Sequence, residues 1–222
     1  MPIKVLAPAE AYLRWAPTYE EAGALAELDE LAVRRLDPSP AGPLLDAACG
    51  TGRRLRSADG AFRRGAFGID LVLPMLLAGA RGAAVAAADL TALPFAAGSF
   101  RTAWCRLAIG HVAEAGRVYA ELGRALAPGG RLLVTDFHPD AARRGLVRSF
   151  RSGGELLAVE HHVHEVDAHR RAAADAGLAL ETLLEVPAGE EVRARFEAAG
   201  KLAAWEAQRD LPVLLALAFR CA

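Results

Sequence analysis

The stretch Leu44-Leu45-Asp46-Ala47-Ala48-Cys49-Gly50-Thr51-Gly52 decides how the rest of the chain is read. It is a short apolar run with an acid near its end, followed by a glycine-rich turn that enters a polar segment. This pattern predicts a strand that stops in a ligand-binding loop, because glycine lets backbone approach a ligand closely and takes positive φ values that a Cβ penalises. Such a turn puts backbone N–H groups at the carboxyl end of a strand. Open α/β sheets bind ligands there, in a crevice at a topological switch point.

Two cofactor classes use a turn of this kind. A dinucleotide fingerprint needs a third small residue, for close helix–strand packing beside the pyrophosphate. Three positions after Gly52 this chain carries Leu55, which counts against NAD or FAD. The D-x-A-C-G-T-G pattern instead resembles motif I of the class I S-adenosylmethionine-dependent methyltransferases, whose ligand has no pyrophosphate to accommodate.

The resemblance continues in order along the chain. Ala66-Phe67-Gly68-Ile69 ends in Asp70, followed by Leu71-Val72-Leu73-Pro74-Met75-Leu76. In the family this acid closes the second strand and accepts hydrogen bonds from the ribose hydroxyls, a role suited to a carboxylate, which only accepts. Asp89-Leu90-Thr91-Ala92-Leu93-Pro94-Phe95 is similar to the family segment whose acid meets the adenine amino group. Leu126 to Val134 matches the turn and fifth strand, and Tyr12 to Glu20 looks like the N-terminal cap over the cofactor. A single glycine-rich turn is common, and a lone strand-end acid is usually just solvated. Five motifs in order, over roughly residues 12 to 136, are what separate this chain from chance.

The resemblance implies a doubly wound, Rossmann-like α/β fold, its seven-stranded sheet mostly parallel with the last strand antiparallel. It implies one domain over residues 1–222, with an N-terminal helical cap at about 1–40. It also implies S-adenosyl-L-methionine held by Tyr19, Asp46, Ala48, Gly50, Gly52, Asp70, Leu71, Met75, Asp89, Leu90 and Arg106.

Composition is compatible. A chain of 222 residues fits one domain, and 53% hydrophobic residues supply a core. A net charge of −1 makes no electrostatic case for nucleic acid, whose binding needs clustered cations. The pairs Arg53-Arg54, Arg63-Arg64 and Arg143-Arg144 read as solvated helix faces. No apolar run approaches the ~20 residues that span a bilayer, and the start lacks a signal-peptide core, so a cytoplasmic location is expected. The three cysteines, Cys49, Cys105 and Cys221, are unspaced for zinc, and Cys49 is expected to pack rather than react.

Short β-like runs alternate with helical stretches, which predicts parallel βαβ units. Strands are expected at 43–47, 66–70, 83–87, 101–105 and 131–136, then at 178–186 and 212–220. Helices are expected at 72–80, 112–126, 167–176 (with Asp167 as N-cap) and about 190–208. The segments 147–151 and 155–164 flank Gly153-Gly154, a hairpin-type turn. This hairpin, about 145–166, is read equally as a substrate lid and as an extra sheet edge or dimer contact.

Methyl transfer needs donor and acceptor held in line with water excluded. A base is needed only for some acceptors. His111, after the fourth strand, and His138, after the fifth, stand where a base could act; the alternative for His111 is packing at a helix start. His161, His162, His164 and His169 raise a metal reading, with His162 and His164 sharing a strand face beside Glu160. The spacing misses His-Glu-x-x-His by one residue, so no metal is expected. The favoured function is methyl transfer to a small-molecule acceptor, without nucleic-acid or membrane partners. The rivals are an NAD(P)-binding oxidoreductase and a catalytically silent S-adenosylmethionine-binding interaction protein.

Overall fold

Leu44–Ala47 is buried at every position, Asp46 included, which places it inside a sheet covered on both faces and explains its predominantly apolar sequence. The computed structural model describes residues 3–20, 23–57, 65–79 and 82–222. The chain begins with β1 (Lys4–Leu6), α1 (Pro8–Trp15) and α2 (Ala24–Leu36). Then come β2 (Leu44–Ala47), α3 (Arg53–Ser57), β3 (Ala66–Asp70), α4 (Leu73–Gly79), β4 (Val85–Ala87) and β5 (Phe100–Arg106). After a 3-10 turn at Ile109–His111 follow α5 (Ala115–Ala125), β6 (Leu126–Phe137), α6 (Pro139–Arg143), β7 (Ser149–Ser152) and β8 (Glu155–Val159). The last elements are α7 (Val166–Asp175), β9 (Leu178–Pro187), α8 (Arg193–Ala198), α9 (Leu202–Glu206) and β10 (Pro212–Cys221).

Seven strands form one sheet in the order β4-β3-β2-β5-β6-β10-β9. The first five pair in parallel, and β10 lies antiparallel to both β6 and β9. This is the predicted Rossmann-like α/β sheet with its last strand reversed. The chain order reverses between β2 and β5, so the crevice at their carboxyl ends is the switch point where such sheets bind ligands. The core runs along the sheet through Leu45, Ile69, Cys105, Leu132 and Phe219, with Val118, Tyr119 and Leu122 of α5 packed on it. The helical spacing of those three residues holds α5 to the sheet.

A small second sheet, β1-β8-β7, lies apart from the first. The expected hairpin exists, and both turn glycines take positive φ, 57° and 83°. Its edge is covered by β1, which pairs in parallel with β8; the sequence reading did not foresee this. Leu6, Ala11, Phe150, Leu157 and Val159 form its own core, with Tyr12 and Trp15 packed against it. The N-terminal cap and the hairpin are therefore one layer.

Several element bounds differ from expectation. The helix expected at 112–126 starts at Ala115, because Val112 is extended (φ −116°, ψ 123°) as it leaves the 3-10 turn. Glu165, not Asp167, occupies the N-cap of α7, and no side chain closes it. The single helix expected at about 190–208 is two short helices, broken where Gly200 takes φ 65°. The second arm of the hairpin stops at Val159, so His162 and His164 share no strand face. Of the arginine pairs, Arg143 and Arg144 are exposed as expected, Arg63-Arg64 lie outside the described residues, and Arg54 is an ion-paired residue of the interior.

Candidate active site

Ala48, Gly50 and Gly52 all take positive φ (63°, 60° and 66°), which coils the loop after β2 around its own N–H groups. The Asp70 carboxylate fixes this loop to the next one. Its Oδ2 accepts the Gly50 N–H at 2.8 Å and its Oδ1 accepts the Val72 N–H at 2.8 Å. Burial raises the Asp70 pKa and the two N–H groups oppose that shift. A cavity of about 120 Å³ opens over the loop. Tyr19, Ala48, Gly50, Asp70, Leu71, Met75, Asp89, Leu90, Arg106 and His111 all line it, so most of the sequence-predicted cofactor set converges on one crevice. At Gly50 a Cβ would stand 3.3 Å from Met75 Cε and 3.4 Å from Tyr19 Cε1, intruding on the cradle.

A second cavity of about 550 Å³ adjoins the first and shares Tyr19, Arg106 and Leu107 with it. Trp15, Leu28, Phe137, Leu146, Phe196 and Val213 give it apolar walls. Val147, Arg148 and Ser149, where the chain enters the hairpin, also border it.

Residues 45–134 match the family model described as "Methyltransferase domain". The matched segment is a methyltransferase domain, and in sequence and fold the chain is similar to class I S-adenosylmethionine-dependent methyltransferases. It is 30% identical over 146 residues to a malonyl-[acyl-carrier protein] O-methyltransferase of Methylovorus sp., covering 59% of this chain and 49% of that protein. It is 36% identical over 107 residues to the demethylmenaquinone methyltransferase of Corynebacterium kroppenstedtii, covering 47% of this chain and 45% of that protein. The chain thus spans about half the length of these curated relatives. In fold it is similar to an S-adenosylmethionine-dependent methyltransferase from Mesorhizobium loti, with a TM-score of 0.65 and 22% identity over 90% of this chain and 99% of that one.

The crevice fits S-adenosylmethionine, the cofactor of the proteins that this chain resembles. Beside the glycine cradle, Asp89 is exposed at the crevice, and among the described residues only its Oδ1 is engaged, by the Thr91 N–H at 2.7 Å and Oγ1 at 2.9 Å. Asp46 lies beneath the loop, fully buried, and neither carboxylate oxygen has a hydrogen-bond partner among the described residues. Burial pushes its pKa up against the opposing pull of Arg54 and Arg106. Gly52 shapes the loop from below, donating to the Cys49 carbonyl at 3.0 Å. Leu55, too large for a dinucleotide fold at this point, is accommodated because β3 presents Gly68. A Cβ on Gly68 would stand 2.6 Å from Leu55 Cδ1 and 2.7 Å from Cys49 Sγ. Cys49 is buried in that packing and its thiol pKa is raised by desolvation, which fits the expected packing role.

Arg106 borders the crevice, but its guanidinium is turned away from it. Nε and Nη2 donate to Asp29 Oδ2 at 3.0 and 2.8 Å, and Nη2 also reaches Glu30 Oε2 at 2.8 Å. Arg54 and Thr135 complete the shell around Asp29, at 2.8 and 2.6 Å. Burial raises the Asp29 pKa, yet the two arginines and the Thr135 hydroxyl outweigh it and hold the carboxylate below its ordinary range. Asp29 sits between Leu28 and Ala32 on the buried face of α2. An acid in an apolar register was the available signal for this cluster.

His138 does not face either cavity, which corrects the expectation that it acts as a base. It is the N-cap of α6: Nδ1 accepts the Asp140 N–H at 3.1 Å, so Nε2 carries the proton and donates to Glu185 Oε1 at 3.2 Å. Its place after the fifth strand is where α6 has to start, and the cap absorbs the imidazole. His111 does face the crevice. Its Nδ1 donates to the Glu160 carbonyl at 3.0 Å, which leaves Nε2 as acceptor, 2.8 Å from Arg148 Nη1 and 2.9 Å from the Tyr12 hydroxyl. Burial, then the Arg148 charge, bring its pKa down to about 3. The imidazole is neutral, with its lone pair engaged.

His161, His164 and His169 make internal contacts away from the loop after β2. His161 fills the space over Gly110, where a Cβ would collide with its ring. His164 Nε2 meets the Val112 carbonyl at 2.9 Å. Buried His169 meets the Tyr119 hydroxyl at 2.9 Å and stands 3.4 Å from Asp136 Oδ2. No three His, Cys, Asp or Glu side chains are grouped to hold a metal among the described residues. No described helix is long and apolar enough to cross a membrane.

Proposed function

We propose that this methyltransferase transfers the methyl group of S-adenosylmethionine to a small molecule seated in the 550 Å³ cavity. The observation that carries the reading is the wall of Tyr19, Arg106 and Leu107 common to both cavities. A donor in the small crevice and an acceptor in the large one would meet across it. Asp70 would take the ribose hydroxyls, Asp89 the adenine edge, and the Gly50 cradle the amino-acid end. The cofactor supplies a sulfonium methyl already activated for displacement.

This chain's own contribution is positioning and exclusion of water. Tyr12, Trp15 and Tyr19 stack edge-on and face-on over the crevice mouth, with ring centroids 5.1 to 5.9 Å apart. His111 is a positioning residue rather than a base, because its lone pair is occupied and its affinity for a proton is low. That favours acceptors that need no deprotonation at the site. The acceptors named for the relatives, a malonyl group on acyl carrier protein and demethylmenaquinone, are small organic groups and not nucleic acids, which supports the small-acceptor reading.

Titration calorimetry tests the donor half: S-adenosylhomocysteine should bind at one site, and NADH should not. Incubation with methyl-labelled S-adenosylmethionine and fractionated cell extract tests the rest. Label in the low-mass fraction is expected. Binding of S-adenosylhomocysteine without labelling of any fraction would favour the silent relative.

A further inference from the structure

We infer that the acceptor is a carboxylate-bearing, otherwise apolar molecule, and that Arg148 anchors its carboxylate at the wall between the two cavities. This rests on the proposed methyl transfer for calling the ligand an acceptor. The argument starts from charge. The large cavity is bordered by five cationic side chains, Arg53, Arg54, Arg106, Arg148 and Lys201, and by no Asp or Glu among the described residues. Arg54 and Arg106 are neutralised by Asp29 and Glu30, Arg53 is partly exposed, and Lys201 is exposed to water.

Arg148 is different. It is 8% exposed, and no carboxylate among the described residues pairs with it. Its Nη1 donates to two neutral acceptors, the Leu107 carbonyl at 2.6 Å and His111 Nε2 at 2.8 Å, and the guanidinium also meets the Tyr12 hydroxyl. The Asp136 carboxylate acts on it only without ion-pair contact. A buried guanidinium with no carboxylate in contact is costly, and its planar fork matches a carboxylate in bidentate fashion.

Its position is equally specific. Leu107 borders both cavities and His111 borders the crevice, so the guanidinium stands where acceptor and donor would meet. Leu107 holds φ 53°, a conformation costly for a branched residue. In that conformation its carbonyl accepts from Arg148 Nη1. Trp15, Leu28, Phe137, Leu146 and Phe196 offer the apolar body a dry surface. One buried guanidinium without an ion-pair partner among the described residues suits a monoanion better than a diphosphate.

Calorimetry on the full chain, with and without S-adenosylhomocysteine, tests the anchor without requiring turnover. The probes are octanoate and 3-phenylpropanoate, each with its primary amide, and octyl phosphate. At least one acid should bind wild-type protein at least tenfold more tightly than its amide. Arg148→Met should abolish that preference, and Arg148→Lys should keep part of it. Equal affinity for acid and amide, no binding of either acid, preference for octyl phosphate by more than tenfold, or an unchanged preference in a folded Arg148→Met protein would each overturn the inference. The acid-to-amide comparison on wild-type protein decides the matter if Arg148→Met fails to fold. Failure of S-adenosylhomocysteine to bind would instead overturn the proposed function, which separates the two.

Discussion

At the scale of single residues, Asp70 has two tasks that a sequence motif does not distinguish. Its carboxylate would hold the ribose, and it already accepts the N–H groups of Gly50 and Val72. Asp70→Ala removes a charged acceptor worth roughly 1.5 to 3 kcal/mol per hydrogen bond and frees the loop as well. We expect S-adenosylhomocysteine affinity to fall at least 100-fold, with Asp70→Asn intermediate because it keeps one acceptor oxygen. Calorimetry on the three proteins checks this, and unchanged affinity in Asp70→Ala would remove the ribose assignment. His138 makes the opposite case. As a helix cap it should cost about 1 kcal/mol of stability when replaced by alanine, with S-adenosylhomocysteine affinity and methyl transfer nearly unchanged. A large loss of turnover in a stable His138→Ala protein would reinstate it as a base.

At the scale of elements, α2 is fastened to the sheet by an ionic cluster as well as by its apolar stripe. Leu28, Ala32 and Val33 bury against the core while Asp29 meets Arg54 of α3, Arg106 of β5 and Thr135 of β6. Removing one member strands buried charge, so Asp29→Asn should destabilise the protein by about 3 to 5 kcal/mol. Urea denaturation measures it, and a loss below 1 kcal/mol would mean that the cluster relaxes into water. Asp29 has a depressed pKa, so its contribution is present above the ordinary carboxylate range and is lost as pH falls below about 4 through the still lower folded-state value. The elements also show why some bounds were illegible. Gly200 splits α8 from α9 through a positive φ, although an isolated glycine within a polar, alanine-rich stretch is compatible with an unbroken helix. The pairing of β1 with β8 joins residues about 150 positions apart in sequence, beyond the reach of any local pattern.

At the scale of the whole molecule, the cap, hairpin and sheet converge on His111, which touches Tyr12 from α1, Arg148 before β7 and the Glu160 carbonyl after β8. Because its folded-state pKa is about 3, the unfolded chain binds a proton below about pH 6.5 that the folded protein refuses. Its contribution is present above that pH and declines as pH falls. The stability difference between wild type and His111→Gln should therefore shrink by up to about 1.4 kcal/mol per pH unit between roughly pH 6 and 4. His161, also depressed by burial, and Asp46 and Asp70, whose raised values act in the opposite sense, are common to both proteins and cancel in the difference. Thermal unfolding across that range checks it, and a pH-independent difference would show that His111 is protonated in the folded state. The sequence by itself determined the individual strands and the cofactor loop, which depend on short-range rules: apolar runs for buried strands, glycines for positive φ, and acids at strand ends. The seven-stranded sheet with its reversed last strand followed from the resemblance to the methyltransferase family. Only the tertiary structure decided that His138 caps a helix, that Arg106 faces α2, and that Arg148 lies buried without a carboxylate beside a strained Leu107. Burial and pairing of a charged side chain are set by neighbours distant in sequence, and residue type alone does not carry that information.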